Sequence, residues 1–204
     1  MITREGVIGL FFLIPISIGF AYGAGNWTYG FTIPLILGWI AFCRHPHRRV
    51  PSDPDVWVAP ADGRVVAVGS TPDGRAYVGI FMNVWNVHVN RAPREGRIVS
   101  VLHQKGRFLP AFHRQASKVN EQVHTVVETA RGSYRVIQIA GILARRIRFW
   151  KAPDVLIRRG EPFGMILLGS RVDVVLPPGV TVVVQTGMKT RADETVLARD
   201  HHAK

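Results

Sequence analysis

In the stretch Gly164-Met165-Ile166-Leu167-Leu168-Gly169-Ser170-Arg171-Val172-Asp173-Val174, an apolar run leads into a Gly-Ser pair and then resumes as alternating Val172, Val174 and Leu176. That pattern predicts two strands meeting at a sharp corner, with Gly169 and Ser170 as the corner. Taken alone, a Gly-Ser between strands is an ordinary turn. Its surroundings give it more weight. Pro60-Ala61-Asp62-Gly63, Asn86-Val87-His88-Val89-Asn90 and Asn120-Glu121 lie upstream, and Gly160-Glu161-Pro162-Phe163-Gly164 stands just before it.

Working outward, short β-type runs separated by turn residues fill the chain from Val56 onward. They cover Val56 to Ala59, Arg64 to Gly69, Ala76 to Met82, Val87 to Asn90, Arg97 to Leu102, Val123 to Thr129 and Ser133 to Ala140. Met165 to Leu168, Arg171 to Leu176, Thr181 to Gln185 and Thr195 to Ala198 complete the set. The expected fold is therefore mainly β, a sandwich or barrel-sandwich hybrid with few short helices. Helix is expected only at Gly141 to Arg148, where Ile142, Leu143 and Ile147 share a face, and within Phe112 to Asn120.

The N-terminus reads differently. Val7 to Ala24 is almost wholly apolar, and a second apolar run from Tyr29 to Cys43 follows after Gly25-Asn26-Trp27-Thr28. Against the about 20 residues a spanning helix needs, the first run is long enough and the second short. The reading is a hydrophobic helical hairpin, weakened by Pro15 and Pro34. Arg4 precedes it and Arg44, His45, His47, Arg48 and Arg49 follow, so both ends are expected on the cytoplasmic side of the cell membrane. Pro51-Ser52-Asp53-Pro54 completes a linker, which gives a membrane-anchoring region at 1–50 and a soluble domain at 51–204.

A formal charge of +12 and a pI near 11.0 call for an anionic partner, either nucleic acid or an acidic lipid surface. Arg91, Arg94, Arg97, Lys105, Arg107, Arg114 and Lys118 form a basic run, continued by Arg145, Arg146, Arg148, Arg158 and Arg159. Stacking platforms for bases are scarce in it, so a bilayer accounts for the charge together with the hairpin, and no specific nucleic acid is expected. Cys43 is the single cysteine, so an intrachain disulfide or CxxC pair is excluded. His45 and His47 lack further ligands at suitable spacing, and no metal site is expected.

The quoted set resembles the phosphatidylserine decarboxylase proenzymes, in particular their short type found in archaea and many bacteria. The resemblance runs from about Ala59 to the C-terminus. It implies autocatalytic serinolysis at Gly169-Ser170: the Ser170 hydroxyl attacks the Gly169 carbonyl, an ester forms, and elimination cuts the chain. The products would be a β-chain of 1–169 and an α-chain of 170–204, paired as a heterodimer. The serine becomes a pyruvoyl group, a covalent cofactor whose carbonyl takes the amine of phosphatidylserine and draws off the electron pair as carbon dioxide leaves. Ser170, His88 and Asp62 match the family's self-cleavage triad residue by residue, with His88 as the base and Asp62 as the group that orients it.

One position departs from the longer type, which carries Tyr-His-x-x-His in this strand; here Trp85 stands three before His88. His88 then serves both stages, or His113 or His124 reaches in. Arg171, Asn120 and Glu121 are the expected substrate contacts, although Asn120-Glu121 also reads as a strand-entry turn. The alternative function is a non-catalytic membrane adaptor built on a lipoyl-like β domain, and a further one is a membrane-anchored nucleic-acid-binding module.

Overall fold

A computed structural model describes residues 1–111, 113, 115–141, 146–167 and 170–201. The chain divides into two compact units, Met1–His47 and Arg48–Lys204.

In the first unit, helix α1 (Arg4–Ala24) is followed by a 3-10 turn (Asn26–Thr28) and helix α2 (Tyr29–Phe42). Thr3 caps α1 by accepting the Gly6 amide at 3.2 Å. Both helices run through their internal prolines. They are joined by Trp39 Nε1 donating to the Gly6 carbonyl at 3.0 Å and by Ser17 donating to Thr32 at 2.6 Å. Gly9 leaves the room that Trp39 occupies. With 21 residues, α1 is long and apolar enough to cross a membrane; α2, at 14, is too short. Val7, Phe11, Phe12, Phe20, Phe31 and Leu35 are exposed, a surface suited to lipid rather than water.

The second unit is mainly β, with three antiparallel sheets. Its strands are β1 (Val56–Val58), β2 (Gly63–Ser70), β3 (Ala76–Met82), β4 (Val89–Arg91), β5 (Gly96–Gln104), β6 (Gln122–Thr129) and β7 (Gly132–Ile139). They continue as β8 (Ile147–Phe149), β9 (Leu156–Ile157), β10 (Pro162–Ile166), β11 (Ser170–Val175), β12 (Val180–Val182), β13 (Lys189–Thr190) and β14 (Val196–Asp200). One short helix, α3 (Ala116–Val119), lies between β5 and β6. The largest sheet has eight strands in the order β13-β2-β3-β11-β7-β6-β5-β9. The two smaller sheets are β1-β14-β12 and β4-β10-β8.

The sequence reading needs two corrections. Ile147 and Arg148, expected in a helix, form β8 against β10; Ile142 to Arg145 of that helix lie outside the described residues. Helical spacing of Ile142, Leu143 and Ile147 lost to the free edge of β10, whose backbone groups need a partner. At the expected corner, Ser170 is the first residue of β11, while Leu168 and Gly169 lie outside the described residues. β10 and β11 belong to different sheets, so this link carries the chain from one layer to another.

The core lies where the layers meet. Val78, Ile80, Met82, Val136, Val172 and Val174 of the large sheet face Trp57, Ala59, Phe163, Ile166 and Leu197. Trp57 ties two sheets together. Its ring meets Tyr134 edge to face at 5.3 Å, its Nε1 donates to Asp200 at 2.7 Å, and the Arg94 guanidinium lies 5.2 Å from its centroid. Trp57→Ala should lower stability by about 3–5 kcal/mol, read as a shift of the urea midpoint, because it removes that packing and leaves a cavity.

Candidate active site

β11 pairs with β3 on one edge and with β7 on the other, without a register shift. All six of its residues are buried. Strand alternation sends Ser170, Val172 and Val174 into the core and Arg171, Asp173 and Val175 to the opposite face.

Ser170 sits directly opposite Met82. It is fully buried, and its hydroxyl has no hydrogen-bond partner among the described residues. An unmet buried polar group costs about 1–3 kcal/mol, so its retention points to a role outside stability.

His88 immediately precedes β4, and its carbonyl accepts the Ile166 amide at 3.3 Å, extending the β4–β10 ladder. Three residues, Leu167 to Gly169, then connect β10 to Ser170. Strand alternation puts His88 and Asn90 on one side of β4. On that side Asn90 Nδ2 meets Met82 Sδ at 3.6 Å, and Met82 is the cross-strand partner of Ser170. His88 Nδ1 lies 2.9 Å from the Asn86 carbonyl. A carbonyl cannot donate, so Nδ1 carries a proton and donates to it.

Asp62 lies just ahead of β2, with its carboxylate engaged on both oxygens. Oδ2 takes Arg48 Nη2 at 2.8 Å and Oδ1 takes the Ala192 amide at 2.8 Å. His88 Nδ1 meets the Asn86 carbonyl, a partner two residues away that the sequence reading overlooked. Beside Asp62, Asp193 pairs with Arg91 at 2.6 Å. Gly160, at φ +79°, allows this approach, since a Cβ there would stand 3.2 Å from the Asp193 carboxylate. Burial pushes the Asp193 carboxyl up to about 7, with Asp62 adding to it and Arg91 and Arg48 opposing.

The remaining expected site residues lie elsewhere. Arg171 is 6% exposed, on the face of β11 opposite Ser170, where it binds Asp173 at 2.6 Å and donates to Tyr77. Gly79 makes room for that pair, and burial raises the Asp173 carboxyl against the pull of Arg171. Asn120 is fully buried and staples the 107–109 segment to β7: its Oδ1 accepts the Leu109 amide at 2.9 Å, and its Nδ2 donates to the Leu109 and Ala140 carbonyls, each at 2.7 Å. Glu121 meets His103 at 3.0 Å. His124 aligns with Ile137 and Asp173, hence on the sheet face away from Ser170, and burial lowers its pKa. His113 is exposed in a turn. Among the described residues, no group of three metal-ligating side chains is close enough to hold an ion.

The basic run also needs correcting. Arg91 and Arg94 are buried in ion pairs with Asp193 and Asp200. Arg48 is bound to Asp62, and Arg159 donates to the carbonyls of Pro51, Asp53 and Val56. These arginines hold the unit together rather than facing a partner. Gln138, missed in the sequence, donates to Asn90 at 2.7 Å and sits opposite Val172, diagonal to Ser170. An amide at a core-facing position of the alternating run Tyr134-Val136-Gln138 was the available signal.

Ser170 and the imidazole of His88 are both fully buried in the β unit. A family model described as Phosphatidylserine decarboxylase matches residues 38–198. The chain belongs to the phosphatidylserine decarboxylase family, pyruvoyl-dependent carboxy-lyases that turn phosphatidylserine into phosphatidylethanolamine and carbon dioxide.

The Asp193 carboxyl supplies a pH test. Its folded value of about 7 exceeds the ordinary 3.8, so the folded chain holds a proton that the unfolded chain releases. This contribution is full below about 4 and is lost as pH rises through about 7. Asp193→Asn should remove that falling component from a plot of Tm against pH between 4 and 8.

Proposed function

We propose that this chain is a short-type, membrane-anchored proenzyme that makes its own pyruvoyl group from Ser170. The carrying observation is the buried Ser170 hydroxyl without a partner at the start of β11. His88 Nε2 takes the proton from Ser170 Oγ, while the Asn86 carbonyl fixes the imidazole. Oγ adds to the Gly169 carbonyl carbon, and the Gly169–Ser170 amide bond breaks in favour of an ester. Loss of the Ser170 α-proton then breaks the Cβ–O bond and releases the Gly169 carboxylate. Hydrolysis of the resulting dehydroalanine frees ammonia.

The residues present fit the group. Its source is buried, and the polar atoms around it come from fixed strands. When formed, the pyruvoyl supplies a carbonyl for the substrate's amine and an electron sink for the departing carboxylate. In the uncut chain the core around Met82 and Val172 keeps bulk water from that position. Asp62, held by Arg48 and the Ala192 amide, contributes negative charge to the base's surroundings. Arg171, Asn120 and Glu121 act on the site by fixing β11 and the adjoining loop.

Cleavage need not release the 170–204 chain. β11 is bonded to β3 and β7, β13 to β2, and β14 to β1, so each end of the product is woven into strands of 1–169. The two chains stay together as a heterodimer. α1 anchors it, and Arg4 and Arg44 set the catalytic unit on the cytoplasmic side.

Ser170→Ala should remain one chain on a denaturing gel, keep its Tm or gain slightly, and release no carbon dioxide from phosphatidylserine vesicles. His88→Ala should slow chain cleavage by at least about a hundredfold, the scale of a lost general base. A Ser170→Ala protein that still turns over would contradict the assignment.

A further inference from the structure

Gln138, like Ser170, carries a buried polar atom without a hydrogen-bond partner among the described residues. The register sets it opposite Val172, on the core face of β7, one strand across and two positions along from Ser170. A diagonal neighbour at that spacing is within reach of a long side chain. Gln138 is fully buried, and its Oε1 has no partner among the described residues.

Its orientation is fixed by what surrounds the amide nitrogen. Gln138 Nε2 donates to Asn90 Oδ1 at 2.7 Å, and Asn90 Nδ2 is turned to Met82 Sδ. Gly164, the cross-strand partner of Asn90, keeps the space open, since a Cβ there would lie 3.2 Å from Gln138 Nε2. One Nε2 hydrogen is committed to Asn90, which fixes the plane of the carboxamide and leaves its carbonyl oxygen as the acceptor without a partner among the described residues. That oxygen accepts and cannot donate, and in surroundings of Val and Met side chains its hydrogen bond is strong.

A phosphoserine headgroup contains one kind of atom that answers it. Phosphate and carboxylate oxygens are acceptors and are repelled, whereas the amino group offers N–H donors. We propose that Gln138 Oε1, set by Asn90, receives the substrate's amino group and orients it toward residue 170. Gln138 is thereby a specificity residue, selecting amino headgroups over other anionic lipids. This rests on residue 170 being the reacting position, and the test is built so that the two readings fail separately.

Short-chain phosphatidylserine and short-chain phosphatidylglycerol, equal in anionic phosphate but different in the amine, are titrated into Ser170→Ala protein by calorimetry. The Ser170→Ala protein should prefer phosphatidylserine. Adding Gln138→Met, of similar size without the acceptor, should weaken phosphatidylserine about tenfold and leave phosphatidylglycerol unchanged, as expected for one buried hydrogen bond. Gln138→Glu retains an acceptor of the same length and should keep the preference, including where Gln138→Met does not fold. In the Ser170 protein, Gln138→Met should still cut into two chains and raise KM for phosphatidylserine vesicles by a similar factor. A phosphatidylserine affinity within twofold of the parent, an equal loss for phosphatidylglycerol, or a Gln138→Glu protein without preference would overturn the role of Gln138. A parent chain that stays whole would instead contradict the role of Ser170, without touching the binding result.

Discussion

β11 is enclosed on both edges and both faces, and that enclosure governs the rest of the soluble unit. A strand so placed cannot leave polar side chains to water, yet this one carries Ser170, Arg171 and Asp173. Arg171, Asp173 and Tyr77 satisfy one another on one face, at the cost of a neighbour reduced to Gly79. On the other face Ser170 has Met82 and the core beside it and, among the described residues, nothing hydrogen-bonded to its hydroxyl. In the uncut chain the same enclosure keeps bulk water from competing with the nucleophile proposed for this position.

Around this strand, buried charge does the joining. Arg48 with Asp62, Arg91 with Asp193 and Arg94 with Asp200 tie segments far apart in the chain, while Arg159 gathers three carbonyls of the 51–56 segment. Removing one member of such a pair strands the other in a low dielectric, which is more damaging than the pair is stabilising. A chain with a net charge of +12 thus spends several of its cations internally. The surface available for an anionic membrane is correspondingly smaller than the composition alone suggests.

Much of this was legible in the residues. The alternating core residues Val78, Ile80 and Met82 of β3, Tyr134 and Val136 of β7, and Val172 and Val174 of β11 announce their strands to within a residue or two, because a half-buried pleat leaves a period of two. Ser170, His88 and Asp62 are singled out only through the motifs around them, and their roles are a proposal. The strand β8 was not legible, since Ile147 fits a helical face equally well and only the edge of β10 decides. Nor was the partner of His88 Nδ1, a backbone carbonyl with no sequence signature. Arg48 reads as one more cation after a hydrophobic hairpin until Asp62 and Glu194 are seen around it. Gln138 could have been noticed as a polar residue on an apolar face, but its alignment with Asn90 depends on a pairing between sheets.

The most direct measurement is the intact mass of the purified wild-type protein under denaturing conditions. The account predicts two species, one ending at Gly169 and one comprising 170–204 with a pyruvoyl in place of its N-terminal serine. A single 204-residue chain in protein that decarboxylates phosphatidylserine would contradict it, as would a 170–204 fragment beginning with an unmodified serine.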